Sequence, residues 1–170
     1  ELYNTTTGLI GQNGRRGALM ISIDCTHPEL LDFIEIKNDL DRVTKANISV
    51  RVTDDFMRAV IEDRDWELYY KSEHEETRKV IKAKEVFRML CKNNWNMAEP
   101  GILYWSRIED YNLLSEDKEF SYAGVNPCAE EPLPNGGSCL LGSINLSAYV
   151  ENGQFNMEQF KKDIHIIVKG

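Results

Sequence analysis

The spacing of apolar and polar positions changes along the chain, and each change predicts an element. Residues 18–23 form an apolar run of strand length, and residues 47–52 alternate as a strand does. Between them, residues 28–37 carry Leu30, Leu31, Phe33 and Ile34 at helical spacing, with Pro28 near the first turn, where a missing N–H costs little. Thr53-Asp54-Asp55 supplies a capping hydroxyl for a helix running to Ile61, with Phe56, Met57 and Val60 on one side. Residues 66–70 read as a strand, and Val80, Ile81, Val86, Phe87, Leu90 and Cys91 predict one helix over 77–95. A strand is expected over 101–105, a polar loop over 112–121 and a last helix over 157–168. Residues 1–17, rich in Thr and Gly, predict a loop, and residues 125–142, with three prolines and three glycines, predict irregular chain. Strands alternating with helices define an α/β class with a parallel sheet. No repeat, low-complexity tract or linker divides the chain, so residues 1–170 read as one partial domain.

Composition narrows the function classes. With 170 residues, 42% apolar and 28% charged, the chain can bury a core. Its 20 Lys+Arg against 28 Asp+Glu give a net charge of −8, which argues against a nucleic-acid partner, since binding needs cations to replace the counterions on phosphates. No apolar run has the length of a membrane span, and there is no basic-then-apolar leader, so a cytoplasmic location is expected. The chain starts at Glu1 without Met and stops inside an apolar pattern at 164–170, and is therefore read as an internal piece of a longer protein. Three glycosylation acceptor sequences, at Asn4, Asn47 and Asn145, are read as chance matches. Cys25, Cys91, Cys128 and Cys139 are too sparse for a disulfide scaffold, and with His27, His74 and His165 scattered no metal site is expected. Cys25 and Cys91 lie in apolar surroundings and read as small buried hydrophobes. The charged runs 39–42 and 73–76 read as solvated surface.

Two stretches carry candidate chemistry. In Asn126-Pro127-Cys128-Ala129-Glu130-Glu131-Pro132, the prolines push the preceding residues toward extended backbone, where residues two apart share a face. Asn126, Cys128 and Glu130 would then line up as an amide, a thiol and a carboxylate: an anchor, a sulfur-centred reactant and a base. A Pro-rich surface loop with a buried cysteine has the same spacing. The second thiol, Cys139, follows across a Gly136-Gly137 turn that can fold it back toward the first. In the other stretch, residues 8–18, the glycines let the backbone reshape while Gln12, Arg15 and Arg16 can contact phosphate or base edges. A solvated basic turn is the alternative there.

Asn126-Pro127-Cys128-Ala129-Glu130 with Ser138-Cys139-Leu140-Leu141-Gly142-Ser143-Ile144-Asn145-Leu146 resembles the active-site finger loop of the ribonucleotide reductase catalytic chain, most like the adenosylcobalamin-dependent class II enzymes. Further resemblances fall in the family's order: Gly14-Arg15-Arg16-Gly17-Ala18, His27-Pro28, Asn47-Ile48-Ser49-Val50, Asp55-Phe56-Met57, Glu99-Pro100-Gly101 and Arg107-Ile108. The resemblance implies part of a ten-stranded α/β barrel with the finger loop at about 125–142. It implies reduction of ribonucleotides to 2′-deoxyribonucleotides for DNA precursor synthesis, as an oxidoreductase.

By motif position, Cys128 would carry the thiyl radical that takes the ribose 3′ hydrogen, and Glu130 would accept the 3′-hydroxyl proton. Asn126 would hydrogen-bond the substrate, and Pro127 and Ala129 would lend backbone to its pocket. Cys139 would be one member of a redox pair whose partner, in the family, precedes the finger loop in a segment not matched here. Gln12, Asn13, Gly14, Arg15, Arg16 and Gly17 resemble the specificity loop that relays a nucleotide allosteric effector to the choice of base. Adenosylcobalamin is the implied cofactor, a thioredoxin- or glutaredoxin-type protein the implied reductant, and a homodimer is possible in the family. Two competing readings are a class I large chain, fed a radical by a metal-containing partner subunit, and a non-catalytic nucleotide-binding fragment. The second would be marked by loss of Asn126, Cys128 or Glu130, and all three are present.

Overall fold

A computed structural model of the chain describes residues 2–12, 14–39 and 43–170, with the side chains of Gln12 and Arg15 excepted. The expectations for Asn13, for the Gln12 and Arg15 side chains, and for residues 40–42 of the acidic run lie outside the described residues. The chain divides into two compact units, Glu1–Gly137 and Ser138–Gly170.

The first unit begins with helix α1 (Leu2–Leu9), where a loop was expected. The Thr6 and Thr7 hydroxyls donate back to the carbonyls of Leu2 and Tyr3, which lets threonines sit in helical backbone that buries no side chain. Strands β1 (Gly11–Gln12) and β2 (Arg15–Arg16) pair as an antiparallel ribbon. Gly14, at φ 83°, supplies the left-handed turn residue such a ribbon needs. Strand β3 (Leu19–Asp24), helix α2 (Leu30–Glu35), a 3-10 turn (Ile36–Asn38), strand β4 (Ala46–Val52) and helix α3 (Asp54–Glu62) then follow, close to expectation. The cap on α3 forms as read: the Phe56 N–H donates to Thr53 Oγ1 at 3.2 Å.

The next segment departs from expectation. Residues 77–82 are not the start of a helix but strand β6 (Glu76–Lys82), paired antiparallel with β5 (Asp65–Lys71). The helix, α4, spans only Ala83–Met97. Val80 and Ile81 fit a helical period by chance, and the long-range pairing with β5 decides their state. Strand β7 (Gly101–Tyr104), helix α5 (Trp105–Asp110), strand β8 (Tyr122–Val125) and strand β9 (Pro132–Pro134) complete the unit.

β3, β4 and β7 form an open three-stranded parallel sheet in the order β3-β4-β7, the parallel α/β arrangement that the alternation predicts. Along β4 the two faces differ. Ala46, Ile48, Val50 and Val52 are all buried, and Val50 and Val52 pack with Leu30 and Ile34 of α2, Phe56 and Ala59 of α3, and Val86 and Leu90 of α4. The opposite face carries Asn47, Ser49 and Arg51, continued in register by Met20, Ser22 and Asp24 of β3. Trp66 of β5 closes the helical side, edge-on to Phe56 at 5.2 Å and donating its indole N–H to the Cys25 carbonyl at 2.8 Å.

Cys25 is buried as expected, and desolvation pushes its thiol above its ordinary pKa. Cys91 is a correction: it is exposed. The buried stripe of α4 runs through Ala83, Val86, Leu90 and Asn93, and the residue after Leu90 turns about 100° away from that stripe.

The second unit holds a 3-10 turn (Leu146–Tyr149), the ribbon β10 (Val150–Glu151) with β11 (Gln154–Phe155), and helix α6 (Met157–Lys169). Asn156 caps α6, accepting from the Gln159 N–H at 3.1 Å. Tyr149, Phe155 and Phe160 pack ring against ring, and the Tyr149 hydroxyl donates to Asp163 at 2.7 Å, a bond that raises its pKa.

Candidate functional site

β8 and β9 pair antiparallel, with Val125 opposite Pro132 and Tyr122 opposite Pro134. Neither proline has an N–H for the ladder, which a two-stranded ribbon with free outer edges tolerates. Residues 126–131 are therefore the tip of a hairpin, and this corrects the extended row expected for Asn126, Cys128 and Glu130. The Asn126 N–H donates to the Glu131 carbonyl and the Glu131 N–H donates to Asn126 Oδ1, each at 3.1 Å. The Ala129 N–H closes a turn onto the Asn126 carbonyl at 2.9 Å, with Ala129 itself left-handed at φ 66°. Pairing of the flanking strands overrides the local pressure of the two prolines.

The site residues sit as follows. Cys128 and Glu130 are exposed on the tip, while Asn126, Pro127 and Ala129 are half-buried. With Oδ1 of Asn126 engaged inside the loop, its amide NH2 remains the donor available to a ligand. Glu131 is half-buried, and both of its backbone polar groups are tied to Asn126. Cys139 is half-buried and lies in the second unit.

Two side chains of β4 hold the hairpin: Asn47, which the sequence offers only within a family motif and a chance glycosylation match, and Arg51, which it does not single out. Asn47 Nδ2 donates to the Pro127 carbonyl at 2.7 Å, and Arg51 Nη1 donates to the Ala123 carbonyl at 3.3 Å. The available signal was their chemistry. A central strand of a parallel sheet is ordinarily apolar on both faces, and three polar residues at alternate positions announce a face that makes polar contacts.

A cleft of about 460 Å³ borders the hairpin, with Tyr104, Arg107, Tyr111, Tyr122, Ala129 and Pro132 in its wall. Another, of about 700 Å³, lies beside the β1–β2 ribbon and takes in Gly8, Gly11, Gly14, Arg16 and Lys45. Gly17 fits there because a Cβ would meet the carbonyl oxygens of Thr7 and Ile10 at 2.7 and 2.8 Å. Arg16 is exposed, so this cleft combines two cations with glycine backbone. Among the described residues, no cluster of three or more His, Cys, Asp or Glu side chains forms a metal site, and no helix is long and apolar enough to cross a membrane.

Comparison with known proteins gives this geometry a family. A family model described as the ribonucleotide reductase barrel domain matches residues 1–170, and the chain belongs to that family. It is 36% identical over 156 residues to a vitamin B12-dependent ribonucleoside-diphosphate reductase of Thermoplasma acidophilum, covering 91% of this chain and 20% of that protein. It is 30% identical over 174 residues to a protein of the same description from Mycobacterium tuberculosis, covering 99% of this chain and 24% of that protein. A vitamin B12-dependent ribonucleotide reductase of Streptomyces avermitilis is 30% identical over 195 residues, covering 97% of this chain and 20% of that protein. The chain thus spans about a fifth to a quarter of the length of these relatives.

Proposed function

We propose that this chain is the part of a vitamin B12-dependent ribonucleotide reductase that carries the reacting thiol, and that the reaction is reduction of a ribonucleotide to its 2′-deoxyribonucleotide. The observation that carries the reading is the β8–β9 hairpin: a solvent-facing thiol and a carboxylate two residues apart on a tip braced against a parallel sheet of the family's barrel domain.

Cys128, as a thiyl radical, removes the ribose 3′ hydrogen, forming an S–H bond and leaving the radical on C3′. Glu130 accepts the 3′-hydroxyl proton, and the Asn126 NH2 holds the substrate by hydrogen bonding. The 2′-hydroxyl leaves as water, with two electrons supplied by a dithiol of which Cys139 is one member and which ends as a disulfide. The hydrogen returns from Cys128 to C3′, regenerating the thiyl radical. A thioredoxin- or glutaredoxin-type protein then reduces the disulfide.

Adenosylcobalamin, when bound, supplies the radical that starts the cycle. Exposure of Cys128 at the hairpin tip is compatible with a bulky cofactor approaching it, and no side chain of this chain is assigned to holding the cofactor. The Arg16–Lys45 cleft suits a nucleotide effector, because two cations and glycine backbone can receive phosphate oxygens. The test is to incubate the full-length protein with adenosylcobalamin, ribonucleotide and a dithiol. Cofactor cleavage together with deoxyribonucleotide formation supports the reading. Product formed only after a metal-containing partner subunit is added overturns the cobalamin assignment.

A further inference from the structure

Asn126, Cys128 and Glu130, assigned above to the substrate, all lie on the hairpin tip, yet nothing within the tip fixes where it stands over the sheet. The three hydrogen bonds of the 126–131 loop are internal, joining Asn126 to Ala129 and Glu131. Pro127 has no N–H, and Cys128 is exposed. What ties this loop to the sheet is the 2.7 Å bond from Asn47 Nδ2 to the Pro127 carbonyl.

That carbonyl belongs to the peptide unit that joins Pro127 to Cys128. Because the peptide is planar, holding its oxygen sets the direction of the Cys128 N–Cα bond. Asn47 is well suited to such a task. It stands on β4, the central strand, opposite Met20 of β3 and two residues before the pairing with β7 begins at Ser49. Its own side chain is exposed, between the buried Ala46 and Ile48. Core packing therefore gives no reason for an amide at this position, whereas the hairpin does.

We infer that Asn47 is a positioning residue: its amide holds the Pro127–Cys128 peptide and so sets where the Cys128 sulfur meets the substrate. The inference rests on the reading of Cys128 as the reacting thiol. A displacement of about 1 Å at a reacting centre can cost on the order of a hundredfold in rate, so the loss belongs to kcat and not to KM. Asn47→Leu keeps the shape of the side chain and deletes the donor. Asn47→Ser shortens it, leaving its hydroxyl out of reach.

The experiment uses the full-length protein. Steady-state kinetics of both variants are measured beside wild type and Cys128→Ser, together with thermal melting and hydrogen exchange of the Ala129 and Glu131 amides. The expected result is a kcat about ten- to a hundredfold below wild type, with KM and melting temperature essentially unchanged and faster exchange at Ala129 and Glu131. A kcat within about twofold of wild type, or an activity loss that follows global melting with no local change in exchange, overturns the positioning role. So does failure of both variants to fold, which would make Asn47 a folding residue. An active Cys128→Ser protein overturns instead the reading of the thiol, and the exchange measurement still reports whether Asn47 anchors the loop.

Discussion

The guanidinium of Arg51 lies 4.8 Å from the centroid of the Trp105 ring, so the last turn of β4 and the start of α5 grip one cation between them. The same group donates through Nη2 to Asp24 at 2.7 Å and through Nη1 to the Ala123 carbonyl at 3.3 Å. One side chain thus joins β3, β4, α5 and the first strand of the hairpin. A planar fork stacked on a ring can do this, and an ammonium cannot.

Arg51→Lys keeps the charge and loses the fork. Asp24 is half exposed, so its ion pair contributes little on its own. Loss of the stacked contact and the Ala123 bond is expected to cost about 1 kcal/mol. Chemical denaturation measures the total. Hydrogen exchange is expected to locate the loosening at residues 122–125.

Thr53→Ala removes the oxygen that satisfies the Phe56 N–H at the start of α3. The expected loss is about 1 kcal/mol, read as a lower denaturation midpoint with an unchanged slope. Asp54 and Asp55 remain to favour that helix terminus, so the helix itself is expected to persist by circular dichroism.

The three thiols of the first unit differ in reactivity. Cys91 and Cys128 are exposed, whereas Cys25 is buried and its pKa lies above the ordinary 9.0. Alkylation followed by mass mapping is expected to modify Cys91 and Cys128 first and Cys25 only on unfolding. The pH dependence has a definite sign. Above pH 9 an unfolded Cys25 begins to lose its proton while the folded one keeps it, so the folded state binds more protons and stability falls as pH rises. Below pH 9 that contribution is complete. Cys25→Ala is expected to lower stability at neutral pH by leaving a small cavity, yet to flatten this alkaline decline.

Glu130 and Glu131 are adjacent carboxylates in different settings. Glu130 is exposed on the tip, and Glu131 is half-buried with its backbone tied on both sides to Asn126. In the full-length protein, Glu130→Gln is expected to reduce kcat by two orders of magnitude or more, as on the order of 10²–10⁴ is typical for a lost general base. Glu131→Gln is expected to stay within severalfold of wild type. The reverse order in a turnover assay would assign the base to Glu131.

How much of this was legible in the sequence depends on the reach of the interaction. The cap at Thr53 and the buried alternation of β4 are local, and both read correctly. Val80 and Ile81 were assigned to a helix because their strand state depends on β5, ten or more residues away. The hairpin tip misled for the same reason: Pro127 and Pro132 point toward extended chain, while β8 and β9 close it into a turn. Cys128 and Glu130 are singled out by their alternate spacing, and their proposed roles rest on motif resemblance. Asn47 falls inside a family motif that gives it no role and Arg51 falls in none, and their partners, Pro127 and Ala123, lie more than seventy residues on. Only the misplaced polarity of a central parallel strand hinted at them.

The role of Cys128 is tested most directly with the full-length protein and a ribonucleotide labelled with deuterium at C3′. Wild type is expected to form deoxyribonucleotide with a kinetic isotope effect, and Cys128→Ser to form none while still binding the ribonucleotide. Deoxyribonucleotide formation by Cys128→Ser at a rate near that of wild type would contradict the assignment of this thiol.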